Sequence, residues 1–368
     1  MEGLRSDVVG SLLRPQELLD ARDRHARGEV DDDHLRAAED AAVDACLRVQ
    51  EDCGLDAVTD GEMRRTSFQS QVTAALEGFA EHDLDAWLWG RWHGEHDVGD
   101  REVERPALAV VDELRRRRFP TAEEFAYARD RTDRALKVTL PSPSLFASFY
   151  DPERAPSVYP TLEDYLGHLA ELMREEVDEL VRLGASYVQL DAPHYTMFVD
   201  PEYRGFYASR GVDAEAWIAF GVELDNQVLG DLPGVTTAFH LCRGNQQSRW
   251  LVEGGYGHLA ATIFPRIAAD RLMLEYDDER SGGFEPLAAV PEDTTVVLGL
   301  VTTKTGSLEP LDDLVARARE AAEHVPVERL AVSPQCGFAT SVLGNALTPE
   351  EQRAKLRRVV EVADAVWG

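Results

Sequence analysis

KVTLPSP (137–143), LEDYLGHLAELMREEVDELVRLG (162–184) and SYVQLDAP (186–193) follow one another in the middle of the chain, and their reading decides the fold. The first and third are short apolar or β-branched runs that end in turn residues, as buried strands do. The second repeats apolar residues at three- and four-residue spacing and stops at Gly184, as an amphipathic helix does. The same alternation continues outward. Upstream lie DVVGS (7–11) and DAVTDG (56–61). Downstream lie VTTAFHLC (235–242), RLMLEY (271–276), TVVLGLV (295–301) and RLAVSPQC (329–336). SLEPLDDLVARAREAAEHV (307–325) reads as a helix after the seventh strand. Another closes the chain, with Thr348 as its N-cap and Pro349 in its first turn.

Eight strand-like runs alternating with helices predict a (β/α)8 TIM barrel, an α/β fold formed as a single domain over 1–368. A doubly wound sheet fits less well, because no Gly-rich phosphate turn follows the first strand. The stretch from about 66 to 136 is too long for one helix. It reads as an insertion between strands 2 and 3, with a hairpin and helices that cap the barrel mouth. Trp87, Trp89 and Trp92 fall in it and read as a packed aromatic cluster or a cover for the mouth. Arg115 to Arg118 read as a solvated helix face with ion pairs.

Bulk properties exclude several functions. The net charge of −30 opposes binding to nucleic acid. No apolar run is long enough for a membrane span, and the N-terminal MEGLRSDVVGS lacks an apolar signal region. The expected location is the cytoplasm, where the four cysteines stay reduced. Cys46 and Cys53 are seven apart in a helical run and read as packed small hydrophobes on one face.

Cys242 and Cys336 differ, since each ends a strand. His240 and Cys242, two apart on one strand, face the same way. Glu275 ends the next strand and Cys336 the last. In a barrel these ends share the C-terminal face, where active sites sit. One imidazole, two thiolates and a carboxylate complete a tetrahedral Zn2+ site, and the sulfur donors favour zinc over magnesium or calcium. A zinc so rich in negative donors suits thiol activation: it lowers the thiol pKa and leaves the thiolate nucleophilic. His194, after QLDAP, is a candidate to protonate a leaving group or to make a structural hydrogen bond. Tyr195 beside it can face the same pocket. Arg14 serves either the pocket or a helix start.

HLC, LE and QCG, together with VGSLLRP (9–15), GLDAVTDGEMRRTSF (54–68) and QLDAP (189–193), resemble the catalytic barrel of cobalamin-independent methionine synthase and its single-barrel relatives. The resemblance spans nearly the whole chain. It implies zinc ligands at His240, Cys242, Glu275 and Cys336. It also implies a homocysteine pocket in which Gly10 and Ser11 hold the carboxylate while Glu62 and Asp191 pair with the ammonium. Three departures stand out. The chain is too short for the second, N-terminal barrel of the full-length synthases. Asp191-Ala192-Pro193 replaces the family's Asp-Glu-Pro. Phe149 falls roughly where a Trp stacks on the folate pterin. These point to a methyl donor other than polyglutamylated methyltetrahydrofolate, such as a methylated corrinoid protein, a simpler methyl donor or an epoxide.

The expected activity is zinc-dependent methylation of a small thiol, homocysteine first. The competing readings are epoxide opening by a thiol such as coenzyme M, a zinc-binding barrel without catalysis, and a zinc-free decarboxylase of the porphyrin-handling barrels. Glu62 and Asp191 favour an amino-acid thiol over a sulfonate thiol, which has no ammonium to pair.

Overall fold

The structure, a computed structural model, describes residues 3–81, 91–94, 98–102, 108–209 and 211–368. Its strands in chain order are β1 (Ala57–Val58), β2 (Leu76–Glu81), β3 (Arg91–Trp92), β4 (Arg101–Glu102), β5 (Leu108–Arg116), β6 (Ala135–Leu136), β7 (Val138–Pro141), β8 (Tyr187–Asp191), β9 (Thr236–Leu241), β10 (Arg271–Glu275), β11 (Thr295–Val301) and β12 (Leu330–Pro334). Its α-helices are α1 (Gln16–Ala26), α2 (Asp32–Cys53), α3 (Ser70–Ala75), α4 (Pro120–Ala128), α5 (Leu162–Arg182), α6 (Pro201–Ser209), α7 (Ala214–Leu229), α8 (Gly257–Thr262), α9 (Leu311–Ala321) and α10 (Pro349–Trp367).

The fold is mixed α/β around a parallel sheet. β7 to β12 pair in sequence order, all parallel. The register sets Pro141 beside Asp191, Asp191 beside His240, and Glu275 beside Gly299, so the strands end at one level. At the far edge Val332 bridges Ser6 in parallel, and Asp7 N–H donates to Val332 O at 2.9 Å. Ala57 N–H reaches Ser6 O at 3.2 Å, and β1 pairs with β6 in parallel. One buried cluster joins Val9, Ala57, Tyr187, Ala238, Met273, Val297 and Ala331, with Ala135 packed against it. That is one residue from seven of the eight strand-like segments, and Ala135 lies just before the remaining one, 137–143.

Local chemistry sets the helix ends. Thr161 and Asp164 form a reciprocal capping box that starts α5, and Gly184, at φ +99°, follows its end. Thr348 and Glu351 do the same for α10, with Pro349 in the first turn. α2 buries both Cys46 and Cys53, as their spacing requires.

Within 66–136, β2 and β5 form an antiparallel pair, as do β3 and β4, and α3 and α4 flank the first pair. Trp87 and Trp89 lie outside the described residues. The expectation of a helix for the arginine run is corrected: Arg115 and Arg116 end β5, which buries Ala109, Val110 and Leu114. Their ion pairs are present, Arg116 with Glu175 and Glu176, and Arg115 with Glu113. Among the described residues, no helix is long and apolar enough to cross a membrane.

Candidate active site

The C-terminal end of β9 and the turn after β12 bring three donors together. The ligand atoms of His240, Cys242 and Cys336 lie within 4.8 Å of one another, all buried. The two sulfurs are 3.8 Å apart. The hydrogen bond between them lowers the pKa of the Cys242 thiol and pushes that of Cys336 well above its usual value. His240 Nδ1 lies 2.8 Å from Asp191 Oδ1, while Nε2 is buried without a hydrogen-bond partner. Burial opposes the imidazolium, but the Cys242 and Asp191 charges outweigh it and raise His240. A buried nitrogen without a hydrogen bond is costly unless something accepts its lone pair. These donors suit a thiophilic metal ion, and the carboxylate behind the imidazole is what metal-binding histidines usually have.

Glu275 stands apart from this triad. It is fully buried at the end of β10, with Oε1 3.0 Å from Lys304 Nζ and Oε2 accepting Arg243 N–H at 2.6 Å. Burial works against ionisation, and Lys304 and Arg243 overcome it, lowering its pKa. Its charge still reaches both thiols.

Ser11, Glu62, Asp191, His194 and the triad line one cavity, whose apolar wall includes Phe68, Trp92, Leu145 and Met197. Glu62 sits in the left-handed region at φ +56°, with its N–H on Asp60 Oδ1 at 2.9 Å. That backbone is uncommon for a non-glycine residue and aims the carboxylate inward. Oε1 accepts Thr139 Oγ1 at 2.9 Å; Oε2 is buried and unpartnered. Burial raises the Glu62 pKa against Arg65, and repulsion from Asp191 adds to it. Gly10 is required by close approach: a Cβ there would lie 2.7 Å from Glu62 Oε1. Ser11 holds the 337–339 turn, accepting Phe338 N–H at 2.8 Å through its carbonyl.

Arg14 donates to four carbonyls, those of Glu62, Arg65, Ala339 and Ser341, and so clamps the cavity wall. His194 is buried, with Nε2 2.8 Å from Ser144 Oγ. Burial depresses its pKa to about 3, so it is a neutral imidazole at pH 7. Phe149 does not face the cavity: it packs edge-on against Phe79 and Phe146, and Leu145 and Ser148 take the lining positions.

Sequence reasoning missed Asp191 as the support for His240, Lys304 as the partner of Glu275, and the Arg65–Glu124 pair behind Glu62. One signal was available. The chain has only three lysines, and Lys137, Lys304 and Lys355 are all buried and ion-paired. Each lysine of this Arg-rich chain is buried against a carboxylate, that of Asp7, Glu275 or Glu309.

Fold and donors together define a class: an α/β protein with a possible metal site of one imidazole and two thiols at the strand ends of its parallel sheet. Residues 4–365 match the family described as cobalamin-independent synthase, catalytic domain. The chain belongs to that family, the methionine synthase-like methyltransferases. It is 34% identical over 366 residues to the uncharacterized protein YxjH of Bacillus subtilis (strain 168), covering 99% of this chain and 94% of the relative. It is 25% identical over 337 residues to the methionine synthase of Pyrococcus abyssi (strain GE5 / Orsay), covering 91% and 86%. A solved structure from Listeria monocytogenes, named as a candidate vitamin-B12 independent methionine synthase, matches with TM-score 0.77 and 27% identity, covering 100% of this chain and 99% of that one.

Proposed function

We propose that this protein methylates a small thiol, homocysteine first, with Zn2+ held by His240, Cys242, Cys336 and Glu275. The observation that carries the reading is the buried group of His240, Cys242 and Cys336, whose donor atoms lie within 4.8 Å of one another while His240 Nε2 has no hydrogen-bond partner. Glu275 is the fourth donor by its place at the same strand-end level. Zn2+ bound there lowers the pKa of an incoming thiol and keeps its thiolate nucleophilic. We also read the eight strand segments as a closed barrel, on the Ser6–Val332 bridge and the cluster that joins residues of seven of them, and 66–136 as an insertion at its mouth.

The chain's own residues bind and orient the acceptor. Glu62 Oε2 has no partner, and Asp191 uses Oδ1 for His240 and Gln189. An ammonium between the two carboxylates relieves their mutual repulsion, which selects an amino-acid thiol over a plain one. Gly10 and Ser11 face the carboxylate end. The apolar wall excludes water from the methyl path. The donor is other than polyglutamylated methyltetrahydrofolate.

Two variants test these roles. Glu62→Gln should weaken homocysteine by about 10- to 100-fold in KM and leave a plain alkyl thiol nearly unaffected. Equal effects on both thiols would remove the ammonium assignment. Asp191→Asn should weaken metal binding by about 10- to 100-fold, read by chelator competition; unchanged metal affinity would show that the His240 contact is idle.

A further inference from the structure

The carboxylate proposed above to receive the ammonium is held from behind by a set of buried side chains. Glu62 Oε1 accepts the Thr139 hydroxyl at 2.9 Å. Thr139 Oγ1 in turn accepts Arg65 Nη1 at 3.0 Å. Arg65 Nε and Nη2 both donate to Glu124 Oε2, at 3.1 and 2.9 Å. Gln71 closes the far side by donating to Glu124 Oε1. Thr139, Arg65, Glu124 and Gln71 are all buried, and of this set Glu62 alone lines the cavity. Whatever the others do for a ligand, they do through Glu62.

The sheet places the hydroxyl. Thr139 on β7 pairs in register with Gln189 on β8. Gln189 Nε2 donates to Asp191 Oδ1 at 2.7 Å and to Val9 O at 2.9 Å. One rung of the sheet therefore gives a donor to each acid of the cavity. Glu62 is tied through Oε1, and its Oε2 keeps no hydrogen-bond partner. Charge sets a second restraint. Arg65 Nη1 stands 3.7 Å from Glu62 Oε1, beyond hydrogen-bond reach. Glu124 takes Nε and Nη2 on one oxygen and Thr139 takes Nη1, so the planar guanidinium is not free to close on Glu62. Its charge still opposes the burial that works against an ionised Glu62. Arg65 thus supports the carboxylate without occupying it.

We propose that Thr139, and Glu124 acting through Arg65, are positioning residues for recognition of the amino-acid end of the acceptor. Thr139 fixes Glu62 by one oxygen and leaves the other for the ammonium. Glu124 keeps Arg65 from taking that carboxylate for itself. Glu124 lies on α4 and Gln71 on α3, both within 66–136, so that stretch helps to choose the acceptor thiol from behind the cavity wall. These roles rest on the ammonium site proposed above.

The test is calorimetric binding of two thiols to the zinc-loaded protein, with no methyl donor present. One is L-homocysteine. The other is 4-mercaptobutanoate, which keeps the thiol, the chain and the carboxylate but lacks the amine. Thr139→Val keeps the shape of the side chain and deletes the hydroxyl. It should weaken homocysteine by about 10-fold and 4-mercaptobutanoate by less than about twofold. Thr139→Ser restores the hydroxyl and should bring homocysteine back to within about threefold of the unaltered protein. Glu124→Gln releases Arg65 toward Glu62 and should show the same selective loss. Glu124→Asp, which loosens the same contact and keeps the charge, should show it in smaller measure and decides the point should the amide variant not fold. In a Glu62→Gln background, Thr139→Val should cost homocysteine less than about twofold more, because the group it positions is gone. Retained binding of 4-mercaptobutanoate reports an intact site in every variant. Unchanged homocysteine affinity in Thr139→Val, an equal loss of both thiols, or no rescue by serine would each overturn the role of Thr139. Full homocysteine affinity in the folded Glu124 variant would overturn that of Glu124. If Glu62→Gln is selective and Thr139→Val is not, the positioning role falls and the ammonium site stands. If Glu62→Gln weakens both thiols equally, the ammonium site falls and takes these roles with it.

Discussion

Cys336→Ser should abolish turnover, by about 10³-fold or more, and remove the bound metal while the protein stays folded. The argument is local. The Cys336 and Cys242 sulfurs are hydrogen-bonded at 3.8 Å, His240 offers the third donor of the group, and its Nε2 has no hydrogen-bond partner. A serine hydroxyl is a hard, weakly acidic oxygen and does not replace a thiolate toward zinc. The side chains around Cys336 belong to a wall held independently by Arg14, Asn245 and Ser11, so one lost sulfur does not unfold it. Metal content by elemental analysis, turnover and circular dichroism should be read on the same sample. Unchanged turnover, or metal retained at one ion per chain, would contradict the assignment of this residue as a ligand.

Lys137→Met should cost about 3–5 kcal/mol of stability, the largest loss expected away from the donor triad. Lys137 Nζ lies 2.8 Å from Asp7 Oδ1, and both side chains are fully buried. Burial works against the Asp7 carboxylate, and Lys137 with Arg271 outweighs it, so the ionised form survives inside. Removing the ammonium leaves Asp7 with Tyr187 OH at 2.6 Å, Val8 N–H at 2.8 Å and Arg271 at 3.6 Å, too little to hold a charge in the interior. The double variant Asp7→Asn/Lys137→Met should recover much of the loss, because it removes both charges. Urea unfolding measures both; a single-variant loss below about 1 kcal/mol would show that water reaches the pair.

Short-range patterns carried much of the architecture. The α5 pattern, its stop at Gly184 and the Thr348 cap are visible in sequence because helix ends are set by residues within one turn of each other. The strand runs are equally visible, since burial on both faces demands unbroken apolar stretches. His240 and Cys242 could be paired on one face from their spacing alone. The arginine run was misread because four like charges carry no period, and only pairing with β2 shows that it continues a strand. Phe149 was placed by counting along a loop, where spacing fixes no direction.

By itself, then, the sequence determined which segments become strands and helices, and that His240, Cys242, Glu275 and Cys336 each stand at a strand end. Those properties depend on neighbours a few residues away. The tertiary structure alone decided that three of these donors meet while Glu275 turns to Lys304. It also decided that Asp191 backs His240, and that a hydroxyl chain joins Asp225 to His194. A buried polar atom takes whichever partner the packing brings within hydrogen-bond reach, and in these cases that partner lies 29 to 83 residues away along the chain.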